Sequence, residues 1–146
     1  MSRPMSLLVS LTAAGYDRID LTRNAVGHFL AAGTLHDAPV SILVDTGAFG
    51  TLVDLGYATA HGLPRTPMGR NPEGASPEIY TLDTAALCLG DVALRPPAIR
   101  ALDLSFINDA LIRRGVAPVE AILGPDTLAA HDAVLDYPSS SLFLRP

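Results

Sequence analysis

Apolar and polar positions alternate over short distances along most of this chain, and turn residues interrupt them often. Leu7-Leu8-Val9-Ser10-Leu11 predicts a first strand, and Ile19-Asp20-Leu21-Thr22 alternates as a second. Gly27 to Leu35 and Val40 to Val44 are joined by His36-Asp37-Ala38-Pro39, two apolar runs with an Asp-containing link, the pattern of a hairpin. Glu78 to Asp83 alternates again. Thr84 to Leu89 and Val92 to Leu94 form a hairpin through Gly90-Asp91, and Ala98 to Leu102 resumes after Pro96-Pro97. Short strands with frequent turn signals predict an all-β barrel or sandwich.

Two segments carry a helical period instead. Asp54 to Pro64 opens on a capping Asp and stops at Gly62 and Pro64, a short helix. His61 near its end suits the helix dipole and the surface. Asp103 to Gly115 is the clearer case. Leu104, Ile107 and Leu111 fall on one face, Asp103 can cap the start, and Arg113, Arg114 and Gly115 suit the end. Thr66 to Pro77, with Gly69, Gly74 and several prolines, keeps no period and reads as a loop.

Ser41 to Asp54 organises the rest. Ile42-Leu43-Val44 delivers the chain to Asp45, Thr46-Gly47 turns it, and Leu52-Val53 carries it away. A short apolar run bounded by turn residues is a buried strand. A carboxylate at its end costs free energy unless it is hydrogen-bonded, paired or open to a cleft. Asp45-Thr46-Gly47 has two readings on its own residues: a plain turn, in which Gly supplies a permissive backbone, or a site where environment tunes a carboxylate for acid–base chemistry.

Composition narrows the classes. At 146 residues one domain is the default, and about two thirds of the unfolded surface can be buried. Hydrophobic residues make up 49% and Trp is absent, so the core is built from Leu, Val, Ile and Ala, and surplus apolar surface points to a partner. Net charge is −5, with no basic cluster, which argues against nucleic acid. Cys88 stands alone in Ala85-Ala86-Leu87-Cys88-Leu89, where a buried, inert thiol is expected. No apolar stretch approaches the ~20 residues of a membrane span. The expected location is cytoplasmic, or periplasmic if a signal or anchor has been removed. His28, His36, His61 and His131 are far apart without metal-ligand spacing, so no metal or other cofactor is expected. No Ser-His-Asp or Cys-His set is apparent, and no P-loop occurs.

The Asp45-Thr46-Gly47-Ala48 loop after an apolar strand resembles the active-site loop of retropepsin-like aspartic proteases, the single-lobe kind. Ala121-Ile122-Leu123-Gly124-Pro125-Asp126-Thr127-Leu128 resembles that family's second signature, and the segments from His131 and Ser141 resemble the closing strands of bacterial members. The resemblance runs from about Ile19 to the C-terminus. It implies a mostly-β, closed-barrel lobe with one or two short helices, a single domain over 1–146 in which residues 1–18 add an N-terminal strand, and the Asp103–Gly115 helix as an insertion.

The resemblance also implies chemistry. Asp45 is the catalytic carboxylate, one per chain, so the dyad needs a homodimer. Thr46 hydrogen-bonds across the two-fold axis, Gly47 offers its N–H to the carboxylate, and Ala48 leaves the cleft open. Thr66 to Pro77 takes the place of a flap, with Gly74, Ile79 and Tyr80 near substrate. Ile122, Leu123 and Gly124 belong to the cleft, and Phe49 lines a substrate pocket, packs in the dimer interface or is buried in the core. Phe49 departs from the small residue common at its position, and two glycines are few for a flap. Asp126 is expected to cap a helix, and Asp136 to end a strand. The function implied is an aspartic endopeptidase acting on extended peptides. The alternative is a catalytically silent dimer of the same fold that binds protein or peptide.

Overall fold

A computed structural model describes residues 6–68, 78–83 and 86–146. Gly74, the glycine assigned to the flap, lies outside them, as does the rest of 69–77. Thirteen strands and four helices are present among the described residues. The first element corrects the sequence reading. The apolar run expected as a strand is helix α1 (Leu7–Ala13). Local signals override its strand-like composition: the Ser6 side chain accepts from the Val9 N–H, and Gly15, at φ 90°, ends the turn. None of its residues is fully buried.

The strands follow as β1 (Asp17–Asp20), β2 (Thr22–Arg23), β3 (Phe29–Leu35), β4 (Ala38–Val44) and β5 (Leu52–Asp54). The β3–β4 hairpin turns through His36 and Asp37, both at positive φ, the backbone that a two-residue hairpin requires. Helix α2 (Leu55–Ala60) starts where expected, with Asp54 accepting from the Tyr57 N–H. Then come β6 (Arg65–Pro67), β7 (Tyr80–Leu82), β8 (Leu87–Leu89), β9 (Val92–Ala93) and β10 (Arg100–Leu102). Helix α3 (Ser105–Arg113) matches the amphipathic prediction, except that Leu104 is its N-cap and Asp103 instead accepts from the Ser105 N–H in the preceding turn. The chain ends with β11 (Ala121–Leu123), α4 (Pro125–Ala130), β12 (Val134–Asp136) and β13 (Ser141–Leu144). Four helices exceed the one or two expected: α1 replaces a strand, while α4 is the short helix anticipated around Asp126.

Ten strands form one curled sheet in the order β6-β7-β10-β5-β11-β4-β3-β8-β9, with β2 also on β3. Its ends, β6 and β9, do not pair with each other among the described residues. The sheet is therefore a half-barrel rather than the closed barrel expected. A second sheet, β1-β13-β12, joins the two ends of the chain.

Strand β11 lies between β5 and β4, antiparallel to the first and parallel to the second. Alternation sends its side chains to two cores. Ile42, Val53, Ala101, Ala121 and Leu123 enter the larger one, with Leu35, Leu87, Leu142 and Leu144. Leu43, Leu52, Leu102 and Ile122 enter a smaller one closed by Leu104, Leu111 and Val119. Each buried leucine contributes about 1.5–3 kcal/mol. The predicted face of α3 is thus the face it buries: Leu104 and Leu111 fully, Ile107 in part. Cys88 is half-buried rather than buried.

Candidate active site

Asp45 follows the last residue of β4. Its N–H donates to the Leu123 carbonyl at 3.0 Å, so the loop leaves β4 while still attached to β11. The Gly47 N–H donates to Asp45 Oδ1 at 2.9 Å, and the Ala48 N–H to the Asp45 carbonyl at 3.3 Å. These bonds hold a half-buried carboxylate with one oxygen occupied by a backbone donor. Thr46 and Gly47 are exposed, Ala48 is half-buried, and Phe49 is 63% exposed.

The loop is fastened at its far end by a network the sequence reading missed. Thr51, 1% exposed, donates its hydroxyl to Asp126 Oδ1 at 2.8 Å. With its one proton committed there, Thr51 Oγ1 accepts from the Gly124 N–H at 3.2 Å and from the Thr127 hydroxyl at 2.5 Å. Asp126 Oδ1 also accepts from the Thr127 N–H. Asp126 is therefore not the cap of α4, a position held by Gly124; it sits two residues further on, in the first turn, and reaches back to the Asp45 loop.

Gly124 has a steric reason to be glycine. A Cβ there would lie 2.3 Å from the Gly50 carbonyl oxygen and 2.9 Å from the Thr51 N, closer than any side chain permits. The first and second signatures are in backbone contact. Arg100 Nη1 and Asp126 Oδ2 flank Gly50, each within about 3.6 Å of where its Cβ would be.

Ile122, Leu123 and Gly124 lie beside the loop, and all three are buried, Ile122 at 1% and Leu123 at 0%. Ile79 and Tyr80 are half-buried at the start of β7. Ile79 packs on the smaller core, and the Tyr80 hydroxyl donates to Glu78 at 2.8 Å. Asp136 ends β12 and accepts from the Ser139 hydroxyl. His61 stacks on Tyr57, with ring centroids 3.9 Å apart. His131 is fully buried between two backbone groups. Its Nε2 accepts from the Arg95 N–H at 2.9 Å, so Nδ1 carries the proton and donates to the Arg145 carbonyl at 2.7 Å. No group of three or more His, Cys, Asp or Glu that could hold a metal occurs among the described residues. A surface groove of about 340 Å³ runs over Ala32, Gly33, Val40 and Ser41 and does not include Asp45. No helix among the described residues is long and apolar enough to cross a membrane.

No protein-family model matches the sequence, and no curated protein does. Solved structures do match. A retropepsin-like aspartic protease from Rickettsia conorii superposes with a TM-score of 0.57 at 20% identity, over 88% of this chain and 90% of that one. The retroviral protease-like domain of Ddi1 from Leishmania major gives 0.56 at 17% identity, over 79% and 86%. At such identities the likeness establishes the fold, and the fold is retropepsin-like.

Proposed function

We propose, from the retropepsin-like fold as premise, that this chain is an aspartic endopeptidase whose site is completed by a second copy. The observation that carries the reading is the position of Asp45. It directly follows a central strand, at the point where the β11–α4 junction holds the loop at both ends, through the Leu123 carbonyl and the Thr51–Gly124 contact.

Peptide hydrolysis needs a water made nucleophilic and a carbonyl oxygen protonated. Two carboxylates sharing one proton supply both. The ionised one accepts a proton from water as its oxygen attacks the carbonyl carbon, and the protonated one donates to the carbonyl oxygen. The tetrahedral diol then collapses as the C–N bond breaks: one diol hydroxyl returns its proton to the ionised carboxylate while the protonated one gives its proton to the leaving nitrogen, so the pair again holds one proton. Like charges about 3 Å apart do not both ionise, so the pair keeps one proton and titrates as a unit; aspartic proteases are the standard case. One chain supplies one such aspartate, so a two-fold axis beside Asp45 is required. The exposed Thr46 and the mostly exposed Phe49 are then the residues nearest to the partner or substrate.

The test is an unbiased peptide-library cleavage assay from acid to neutral pH, beside sedimentation equilibrium, on wild type and Asp45→Asn. Asparagine keeps an oxygen for the Gly47 N–H and removes the proton shuttle, so turnover falls by about a thousand-fold or more while the dimer persists. A protein that stays monomeric and cleaves nothing at any pH would sink this reading. A dimer that retains peptides without cleaving them would favour a binding module.

A further inference from the structure

An extended peptide lying beside Asp45 needs apolar ground for its side chains. The register of the central strands identifies the nearest such ground. Leu43 precedes Asp45 by two residues, so the two share a face. Leu43 pairs with Ile122, and Ile122 with Leu52, which puts all three on the Asp45 side of the sheet. Yet they are only 4%, 1% and 2% exposed. Leu104 and Leu111 of the α3 segment, with Val119, cover them. The partly buried residues at the edge of this cluster include Ala48 of the Asp45 loop, Ile79 and Ile107, with Val26, Leu30 and Val116.

The cover is fastened. Asp54 Oδ1 accepts from the Leu104 N–H at 3.0 Å, at the entry to α3. At the other side, Asn108 both donates to the Val119 carbonyl at 3.0 Å and accepts from its N–H at 2.9 Å. These bonds join the inserted helix to β5 and to the segment leading into β11, the strands that carry the site. Phe106 and Ile112 face away from the cluster, 63% and 55% exposed.

We propose that α3 is the specificity wall of the cleft. It fills the deep apolar ground over Leu43, Leu52 and Ile122 and leaves only the shallow edge at Ile107 for a substrate side chain. Small apolar residues, Ala or Val, are then accepted beside the scissile bond, and Phe or Leu is rejected. The proposal rests on the endopeptidase reading above and adds the substrate class.

Truncating the wall should deepen the pocket. The test compares wild type with Ile107→Ala and Leu111→Ala on an unbiased peptide library, with cleavage sites identified by mass spectrometry. The ratio of cleavage at Phe or Leu to cleavage at Ala or Val is independent of how much enzyme is folded. We expect it to rise about tenfold in either variant. If Leu111→Ala does not fold, the half-buried Ile107→Ala carries the comparison. In parallel, the same library is retained on immobilised Asp45→Asn and Asp45→Asn/Ile107→Ala protein, and bound peptides are sequenced. A shift in retained peptides without turnover would support the wall while overturning the catalytic reading. Turnover with an unchanged ratio, or no size preference in cleavage or retention, would overturn the wall.

Discussion

Thr51 and Asp126 lie 75 residues apart in sequence, and their side chains meet at 2.8 Å behind the Asp45 loop. The threonine hydroxyl is fully used, giving one bond and receiving two. Asp126→Ala should leave the Thr51 hydroxyl and the Thr127 N–H to find other partners, at a cost of about 1–3 kcal/mol in urea unfolding. Asp126→Asn keeps an acceptor oxygen and should lose less. Equal losses would mean that the charge matters and the hydrogen bond does not.

Gly124→Ala should be far more damaging than its size suggests. The new methyl would press on the backbone of Gly50, which cannot rotate away as a side chain would. A loss of about 3 kcal/mol or more is expected, or failure to fold. Gly47→Ala is the control, because its Cβ would meet only the Asp45 carboxylate at 3.4 Å. That variant should stay within about 1 kcal/mol of wild type by thermal unfolding.

His131 ties the C-terminal end of β13 to the segment after β9 through one donor and one acceptor. His131→Phe fills the space but removes the partner of the part-buried Arg95 N–H and Arg145 carbonyl. Each unsatisfied group costs about 1–3 kcal/mol. The expected result is a lower denaturation midpoint and faster amide exchange at Arg95. Unchanged exchange there would show that water replaces the imidazole.

Tyr57 offers a gain instead. Its hydroxyl is buried without a hydrogen-bond partner among the described residues. Burial, and secondarily the nearby Glu120 carboxylate, raise its pKa above the ordinary 10.0. Above pH 10 the unfolded chain therefore releases this proton while the folded chain still holds it. The unfolded state then binds fewer protons, and stability falls as pH rises. Tyr57→Phe should be neutral or slightly stabilising near pH 7 and should flatten the alkaline decline. Urea midpoints at pH 7 and above pH 10 check both.

Much of this was legible in the residues because it depends on near neighbours. The β3–β4 hairpin follows from two apolar runs around a short polar link. Helix α2 follows from Asp54, whose carboxylate reaches an N–H three residues on. The face of α3 follows from the spacing of Leu104, Ile107 and Leu111. The same local logic, applied incompletely, misread α1. Its apolar run fits a strand, but Ser6 and Gly15 supply helix ends, and capping needs no partner elsewhere in the chain.

The sequence by itself therefore determined the local frame: the Asp45 loop, the turns, the helix faces, and a resemblance strong enough to name a fold. Tertiary structure alone decided how those pieces meet. Asp126 looks like a helix-capping carboxylate until β11 lies between β4 and β5 and brings it to Thr51. Gly124 reads in the sequence only as part of the second motif, and its steric role emerges when the Gly50 backbone sits against it. The face of α3 was predictable, but not that it would cover the Asp45 side of the sheet. Among the described residues β6 and β9 do not pair, so the curled sheet is a half-barrel. Each of these outcomes depends on strand register and order, set by contacts between residues far apart in sequence, whereas capping and periodicity are set within a few residues.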